Sequence, residues 1–371
     1  MLAQSSDSSG NQLINKILRR APPPLLGLDI STSGVRLLGI DEVARGVRVQ
    51  CCAQVSLPPG AVAEGAVVDA EAVSRAVADA VRRAGSKRRD VALAVPGSQV
   101  ISRQIAMPVE FSDADIEQQI LLESDQYIPY PIDDVYFDFV VLGPNARNPQ
   151  TADVLLIVAR SDVVDRRLDV VASAGLQAAV VDVEAYALES AFALIAPQLP
   201  ATARSGLTAM IDIGASTTTL NVMQGGVTVF TREQSFGGEQ LLQQIQDQFG
   251  IAYPQASAAL REGSIPDEWR VSVIEPFLDL LANQVGRLLQ VFFSATGRAT
   301  LDHVVLSGGC AGLAGVAAVV GRNVGLDTRV GNPFAGAEFA PGLDASRLRG
   351  EGHAWMIAAG LAMRSTTDVA R

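Results

Sequence analysis

The sequence contains few residues of the kinds that build disulfide frameworks or metal centres. Its 371 residues include three cysteines, of which Cys51 and Cys52 are adjacent and the third is Cys310. Adjacent cysteines rarely bridge each other, and no Cys-x-x-Cys pair is present. His303 and His353 are the only histidines, which excludes a histidine-rich metal site and argues against histidine-based catalysis. The chain therefore fits a reducing cytoplasm.

Long apolar runs and an N-terminal signal peptide are also missing. No stretch approaches the roughly 18–20 apolar residues that a transmembrane helix needs. Residues 1–24 carry Asp7 and three consecutive prolines in place of an apolar signal core. Contact with a membrane is therefore expected only indirectly, through a partner or a surface patch. A basic cluster at residues 82–89 is either an ordinary helix end or a site for anionic lipid head groups.

The charge balance excludes another large class of partner. The formal net charge is −11 at pH 7, with 48% hydrophobic and 19% charged residues. Such a chain offers nucleic acid no overall electrostatic attraction, and its apolar content is too high for disorder. Its length is sufficient for two or three globular domains.

Strand-like and helix-like segments alternate beyond residue 24, a pattern typical of α/β proteins. Residues 98–182 change this texture to strand–helix–strand–strand–helix, which indicates a small inserted α+β unit. The predicted organisation is a flexible leader (1–24), a first lobe (25–97), the inserted unit (98–182), a return helix and linker (183–204), and a second lobe (205–371) with a subdomain at about 250–300 and a C-terminal helix (352–364) packed back on the first lobe.

Two segments about half the chain apart share one pattern. Residues 28–34 read Leu-Asp-Ile-Ser-Thr-Ser-Gly, and residues 211–217 read Ile-Asp-Ile-Gly-Ala-Ser-Thr. Each combines an apolar strand that ends in Asp-Ile with a tight turn of small and hydroxyl residues, followed by a second strand. One such turn is usually only a turn, but two copies in matching context predict a two-lobed fold built from a repeated unit.

The chemistry of these turns suits phosphate. Backbone N–H groups and hydroxyls that point into one concavity bind phosphate oxygens, and two facing hairpins can hold a β,γ-phosphate pair from both sides. The strand-end carboxylates of Asp29 and Asp212 are predicted to hold hydrated Mg²⁺, which keeps most of its own waters. The predicted phosphate-binding residues are Ser31, Thr32, Ser33, Gly34, Gly214, Ala215, Ser216 and Thr217.

Two later glycine signals complete the predicted nucleotide site. Gly238 and Glu239 open a helix, and Gly308 and Gly309 follow a strand. Glycine lets bare backbone approach a ligand, and a helix N-terminus favours anions. Each signal alone is more often a packing feature, but in this order they predict the sugar and adenine side of the cleft.

The motifs together resemble the actin/Hsp70/sugar-kinase superfamily, whose five motifs occur here in the same order. Residues 28–34 and 211–217 resemble the two phosphate motifs, and residues 305–309 resemble the adenosine motif. The two connecting motifs are matched by residues 181–185 and 360–362. The resemblance implies an α/β, two-lobed actin-like ATPase fold (a duplicated ribonuclease H-like unit) with a small inserted α+β subdomain, and ATP in the cleft.

Within that superfamily the chain is most similar to the PilM family of type IV pilus assembly proteins. The similarity rests on Tyr-Ile-Pro-Tyr-Pro at 127–131, Asp-Val-Glu-Ala at 182–185, Gly-Asn-Pro-Phe at 331–334 and Gly-Leu-Ala-Met-Arg at 360–364. It implies a cytoplasmic scaffold, peripheral to the inner membrane, that binds the N-terminal cytoplasmic segment of a PilN-like membrane protein near the inserted unit. Contact with the pilus motor ATPases and self-association are left open.

The sequence departs from an active ATPase. Lys16 and Lys87 are the only lysines, so neither predicted phosphate turn holds one, and the direction of the Arg36 side chain is left open. Asp182 or Glu184 is the candidate for positioning an attacking water, although either is also an ordinary acid at a helix N-terminus. Arg261 is the candidate contact to the nucleoside. Slow hydrolysis, or binding without turnover, is expected.

Two alternative functions remain. An FtsA-like division protein is one, but that family carries a C-terminal amphipathic membrane helix, and residues 365–371 are short and polar. A sugar-kinase-type phosphotransferase is the other. It needs a catalytic aspartate that faces a polar pocket, whereas the inserted unit offers apolar and aromatic residues that suit a peptide.

Overall fold

The computed structural model describes residues 24–44 and 46–364. The strands are β1 (Leu26–Ser31), β2 (Gly34–Val43), β3 (Gly46–Ser56), β4 (Val62–Ala63), β5 (Ala66–Val67), β6 (Asp90–Val95), β7 (Val100–Pro108), β8 (Val135–Pro144), β9 (Thr151–Arg160), β10 (Gln177–Val183), β11 (Leu207–Ile213), β12 (Thr218–Gln224), β13 (Val227–Gln234), β14 (His303–Ser307), β15 (Thr328–Val330) and β16 (Glu338–Phe339). The α-helices are α1 (Ala70–Ala84), α2 (Asp113–Leu122), α3 (Ser124–Tyr127), α4 (Ser161–Ser173), α5 (Glu184–Ile195), α6 (Ala201–Ser205), α7 (Gly238–Phe249), α8 (Tyr253–Glu262), α9 (Asp267–Trp269), α10 (Glu275–Thr296), α11 (Val316–Val324), α12 (Ala345–Gly350) and α13 (Met356–Ala362).

Two sheets carry the same arrangement of strands. The first reads β3-β2-β1-β6-β10 with β16 added beside β3, and the second reads β13-β12-β11-β14-β15. In each sheet, the first strand of an antiparallel hairpin has a parallel strand on its other side, and a second parallel strand lies beyond that one. The repeat predicted from the two Asp-Ile segments is therefore confirmed in the topology. The central strands are buried on both faces and read as continuous apolar runs, as parallel strands do.

Helix α1 illustrates how local sequence determines these elements. Asp69 caps it by accepting a hydrogen bond from the Ala72 amide at 2.9 Å, and Gly85 ends it in the left-handed region with φ 63°. Its buried face includes Val73 and Val77, which pack on the first sheet. Arg82 and Arg83 lie in its last turn, where cations complement the helix dipole.

A separate three-stranded sheet with the order β7-β9-β8 forms inside the predicted inserted unit. Helix α2 covers one of its faces, and its start is fixed by a capping box between Ser112 and Asp115. The helical segment that begins at Asp113 is interrupted before it ends at Tyr127. Glu123, with φ −107° and ψ 22°, leaves the helical region and separates α2 from α3.

The return to the larger sheet begins with α4. Ser161 is its first residue rather than its cap, because the Ser161 hydroxyl donates instead to the Asp134 carbonyl at 3.0 Å. The following strand, β10, pairs with β6. The last residues of the range 98–182 therefore lie in the six-stranded sheet.

The predicted helix at 352–364 is a 3₁₀ turn, Gly352–Trp355, followed by α13. This helix packs against β1, β2 and α5. Among the residues that the structure describes, no helix combines the length and the apolar content needed to cross a bilayer.

Candidate functional site

The two Asp-Ile hairpins face each other across the cleft between the sheets. Their tips touch, because Thr32 Oγ1 and Ser216 Oγ share a hydrogen bond of 3.0 Å. The first turn contains two residues, Thr32 and Ser33, and the Ser31 hydroxyl closes it by donating to the Gly34 carbonyl at 2.9 Å. The residues predicted from two distant segments are therefore brought together.

The second turn is longer and is bound by a helix. Gly214 donates its amide to the Thr217 carbonyl at 2.8 Å, which closes a four-residue turn at residues 214–217. The amides of Gly238 and Glu239 at the start of α7 donate to the Gly214 and Ala215 carbonyls at 3.0 and 2.8 Å. These two amides thus hold the turn itself.

The residue that requires glycine at this contact is Gly237. A Cβ atom there would lie 2.5 Å from the Ala215 carbonyl oxygen, well inside van der Waals contact. The sequence signal at 237–239 thus lies at this turn, where Gly237 has a packing role and the amides of Gly238 and Glu239 bind the turn.

The glycine pair after β14 has two different environments. Gly308 adopts φ +86° and packs against the Ile213 backbone, so a side chain would be strained there. It also exchanges hydrogen bonds with His353: its amide donates to the His353 carbonyl at 2.9 Å, and its carbonyl lies 2.8 Å from His353 Nδ1. Gly309 is exposed with open space beside it.

Asp29 of the first hairpin is paired with Arg36. Arg36 Nη1 donates to Asp29 Oδ2 at 3.2 Å, and the aspartate side chain is 4% exposed. The two residues are directly opposite in the β1–β2 register, which a two-residue turn fixes. Burial raises the pKa of Asp29, and Arg36 opposes that shift. The direction of Arg36, left open by the sequence, is thus towards this carboxylate.

Asp212 of the second hairpin has a hydroxyl as its partner. Ser307 Oγ donates to Asp212 Oδ1 at 2.7 Å. Burial raises the pKa of Asp212 to about 6 against that hydrogen bond, and repulsion from Asp29 adds to the rise. Asp212 is therefore the less compensated of the two predicted metal ligands.

Two further carboxylates reach the same place. Burial, followed by repulsion from Asp29, raises the pKa of Glu184 to about 8, and Arg167 opposes the rise. Burial also raises the pKa of Glu233 on β13. Its Oε2 atom is buried without a hydrogen-bond partner among the described residues. Sequence reasoning missed Glu233 because no motif marks it.

The cluster also contains a guanidinium group that the sequence did not suggest. Arg167 of α4 donates from Nη2 to the Gly65 carbonyl at 2.7 Å and from Nη1 to the Ile30 carbonyl at 3.4 Å. Four carboxylates thus meet two guanidinium groups, which leaves a formal surplus of negative charge when all are ionised. The cluster consists of Asp29, Glu184, Asp212, Glu233, Arg36 and Arg167.

Two predicted site residues lie elsewhere. The Asp182 carboxylate is held by Arg364 Nε at 2.7 Å and by the Val183 amide, so it is engaged outside the cluster and does not accompany Glu184. Arg261 donates from Nη1 to Ser56 Oγ at 2.7 Å, a contact between the second lobe and the first. Neither arrangement was visible in the local sequence.

Comparison with known proteins agrees with this architecture. A family model described as type IV pilus assembly protein PilM matches residues 27–366. A solved structure of a PilM–PilN type IV pilus biogenesis complex is 26% identical, with a TM-score of 0.77 over 93% of this chain and 99% of that chain. The ethanolamine utilization protein EutJ from Carboxydothermus hydrogenoformans is 18% identical, with a TM-score of 0.55 over 95% and 96% of the two chains. The second likeness concerns the fold alone, which is the actin-like ATPase fold.

Proposed function

The chain belongs to the PilM family of type IV pilus assembly proteins, and on this premise we propose that it is an ATP-binding scaffold for a PilN-like partner. The partner's N-terminal cytoplasmic segment docks on the inserted unit, which places the scaffold at the cytoplasmic face of the inner membrane. The family match favours neither a division protein nor a sugar kinase. Contact with the motor ATPases and self-association stay predictions.

The observation that carries the docking proposal is the face of the β7-β9-β8 sheet on which the apolar side chains of Leu155 and Val140 are not fully buried. Successive side chains of a strand point to opposite faces, and on β9 the fully buried Val154, Leu156 and Val158 face the cluster around α2. Leu155, between them, is only partly buried and pairs with Val140 of the edge strand β8, which is 45% exposed. An extended peptide with alternating apolar side chains suits such a face.

A pair of valine variants tests the docking face. Val140→Glu places a charge on it and is expected to weaken binding of the partner's synthetic N-terminal segment at least tenfold. Val227→Glu is the matched control, because Val227 is 59% exposed on β13, the edge strand of the five-stranded sheet. Equal affinity in both variants would sink the proposal for this face.

The nucleotide proposal rests on the facing hairpins. The turn amides and the hydroxyls of Thr32 and Ser216 would bind phosphate oxygens, and Arg36 supplies a fixed cation beside them. Because the tips touch at 3.0 Å, a phosphate chain can bind between the two tips only if the tips separate. A phosphate chain bound by both turns would join the two lobes through one ligand.

The cluster also fits a hydrated Mg²⁺ in charge. Among the described residues, no group of three or more His, Cys, Asp or Glu side chains is arranged to hold a metal directly, but Mg²⁺ keeps several waters and needs one or two carboxylates. Asp29 is occupied by Arg36, so Asp212 is the principal ligand in our proposal. A divalent cation there opposes the burial and the repulsion from Asp29 that raise the pKa of Asp212.

Turnover is expected to be slow. Glu184, the candidate for positioning water, has its pKa raised to about 8, so at neutral pH it carries a proton and is a poor base.

Thermal unfolding with Mg-ATP tests binding separately from hydrolysis. Ligand at about 100 times its Kd stabilises the folded chain by about 2.7 kcal/mol. Loss of this shift in Asp212→Ala supports the site, and no shift in the unaltered chain overturns it.

A further inference from the structure

Arg167 has the most completely buried charged side chain of the described residues, with an exposure of 1%. Its guanidinium binds the Gly65 and Ile30 carbonyls, whereas its Nε atom has no hydrogen-bond partner among the residues described. A buried cation is costly unless it is paired and hydrogen-bonded. The two carbonyls alone do not offset the cost of burying this charge, so the acidic side chains around the guanidinium must also stabilise it.

On the side of the predicted nucleotide site, Arg167 interacts with the first hairpin and with Glu184. Ile30 lies next to Asp29 in β1, so the hydrogen bond to the Ile30 carbonyl ties the guanidinium to the strand that carries the hairpin. Glu184 and Asp29 both attract the Arg167 charge, against the burial that lowers its pKa. The side chain therefore contacts the backbone of the predicted nucleotide site and balances its acids.

On the opposite side, the helix that carries Arg167 follows the three-stranded sheet. The Ser161 hydroxyl donates to the Asp134 carbonyl at 3.0 Å, and Tyr136 OH donates to Asp165 Oδ1 at 3.0 Å. Val164 packs in the cluster that joins the end of β9 to the first lobe. The first half of α4 is thus attached to the sheet whose open face is the proposed docking site.

The second half of α4 belongs to the core of the first lobe. Val170 and Val171 are buried there among residues of β1, β2 and α1. Arg167 lies between the two attachments. A packed helix moves as a unit and a close-packed core has little slack, so a shift of the three-stranded sheet is carried to the guanidinium.

We propose that Arg167 is the positioning residue through which partner docking on the inserted unit and nucleotide binding in the cleft influence each other. The inference rests on the proposed function, since it requires both ligands. Docking that shifts α4 moves the guanidinium relative to Ile30 and Glu184, and so changes how the first hairpin receives phosphate. By thermodynamic linkage, ATP changes the affinity for the partner segment by the same factor.

The test is the ratio of two ATP affinities, measured by titration of the full chain without and with a saturating synthetic peptide of the partner's N-terminal segment. We expect a ratio of about 5-fold or more in the unaltered chain. In Arg167→Met the ratio is expected to fall to about 1-fold, because methionine fills much of the volume but makes neither carbonyl contact. The ratio is the readout, because it reports the coupling even if the substitution changes the affinity for ATP or for the peptide.

Arg166→Met is the matched control. Arg166 precedes Arg167 on α4 and also binds the β4–β5 hairpin, through the Val67 carbonyl at 3.4 Å, but its side chain is exposed. The Arg166→Met variant removes the same charge from the same helix and is expected to keep the ratio of ATP affinities of the unaltered chain. An unchanged ratio in Arg167→Met, or an equal loss in Arg166→Met, overturns the proposal.

Failure of folding in Arg167→Met is covered by a second variant. Arg167→Met/Glu184→Gln replaces Arg167 together with the carboxyl group that faces it, and its ratio of ATP affinities is compared with that of Glu184→Gln alone. Hydrogen exchange of the unaltered chain adds a measurement that needs no substitution. ATP is expected to slow exchange of the amides in residues 161–173, and unchanged exchange there contradicts the proposal.

The outcomes separate this inference from the function on which it rests. If the unaltered chain binds ATP and the peptide with a ratio of 1-fold, the scaffold function stands and the role of Arg167 falls. If it binds only one of the two, the proposed function fails, and the coupling fails with it.

Discussion

The two Asp-Ile hairpins share their connectivity but differ in how their acids are neutralised. In the first, a two-residue turn sets Arg36 opposite Asp29 and the two side chains pair. In the second, Thr219 stands opposite Asp212, and the aspartate receives only the hydroxyl of Ser307. The repeat therefore preserved the backbone and the acid, whereas the compensating cation is present in one copy alone.

This difference assigns different tasks to the two halves of the cleft. The first hairpin carries its own cation, so its charge state does not depend on a ligand. In the second hairpin, burial raises the pKa of Asp212 as it raises that of Glu184, and repulsion from neighbouring acids adds to both shifts. An external cation is expected to act on the second hairpin, and four experiments can break or sharpen that assignment.

Removing the built-in cation is expected to have the largest effect. Arg36→Met leaves Asp29 buried without its partner, and breaking a buried pair in this way typically costs about 3–5 kcal/mol. The matched change in the second hairpin, Thr219→Met, alters no charge and is expected to cost about 1 kcal/mol or less. Urea unfolding of both variants at pH 7 measures the difference.

A double variant separates charge from packing in that experiment. Asp29→Asn/Arg36→Met is expected to recover most of the loss, since no uncompensated carboxylate remains. If the double variant is as unstable as Arg36→Met, the arginine contributes through its volume, and the contrast between the hairpins is not electrostatic.

The pH dependence of stability comes next in size. The pKa of Glu184 is raised from 4.5 to about 8 in the folded chain, so its contribution is fully present below pH 4.5 and is lost as the pH rises towards 8. Glu184→Gln should abolish that decline, with a difference of roughly 3 kcal/mol between pH 4.5 and pH 7 at about 1.36 kcal/mol per pKa unit.

Glu71→Gln is the control for the pH experiment, because Glu71 also lies in the first turn of a helix but is exposed. It should decline with pH as the unaltered chain does. A Glu184→Gln variant with the same decline as the unaltered chain would show that another group titrates.

The metal distinguishes the hairpins more directly. With ATP at about 100 times its Kd, binding stabilises the fold by about 2.7 kcal/mol, and chelation of Mg²⁺ should remove part of this shift. Asp212→Asn is expected to abolish the Mg²⁺-dependent part and Asp29→Asn to retain it, as followed by thermal unfolding with and without a chelator. Equal loss in the two variants would mean that both acids hold the metal.

The contact between the hairpin tips should have the smallest effect. Thr32→Ala and Ser216→Ala each remove one partly exposed hydrogen bond, worth about 0.5 kcal/mol. The two losses should not add, because each variant already breaks the shared bond. Additive losses in a double-mutant cycle would indicate that the tips are apart in solution.

The sequence supports prediction of what is encoded locally. The repeated turns and apolar strands predict the two sheets, because a turn and its flanking strands are specified within about a dozen residues. The two-residue turn sets Asp29 opposite Arg36, although the sequence left the direction of the Arg36 side chain open. The fold class and the repeat are confirmed by the shared strand order.

What the sequence could not reveal depends on distant packing or on a change of geometry. Arg167 meets Ile30 from 137 positions away, and no periodicity encodes that contact. Asp182 and Glu184 would share a face of one strand, but Glu184 opens α5, so their carboxylates diverge. Glu123 separates α2 from α3 although its residue type favours helix, an instance of tertiary context overriding propensity.

The order in which the chain completes its two halves follows from where their parts lie in the sequence. The largest buried cluster contains only residues between 209 and 320, so the core of the second half can form from one continuous segment of the chain. The first sheet gains β16 at residues 338–339, and one of its faces is covered by Trp355 and Ala358. Long-range pairing of this kind is slow to form. On the ribosome, the half that is synthesised first is therefore expected to be finished last.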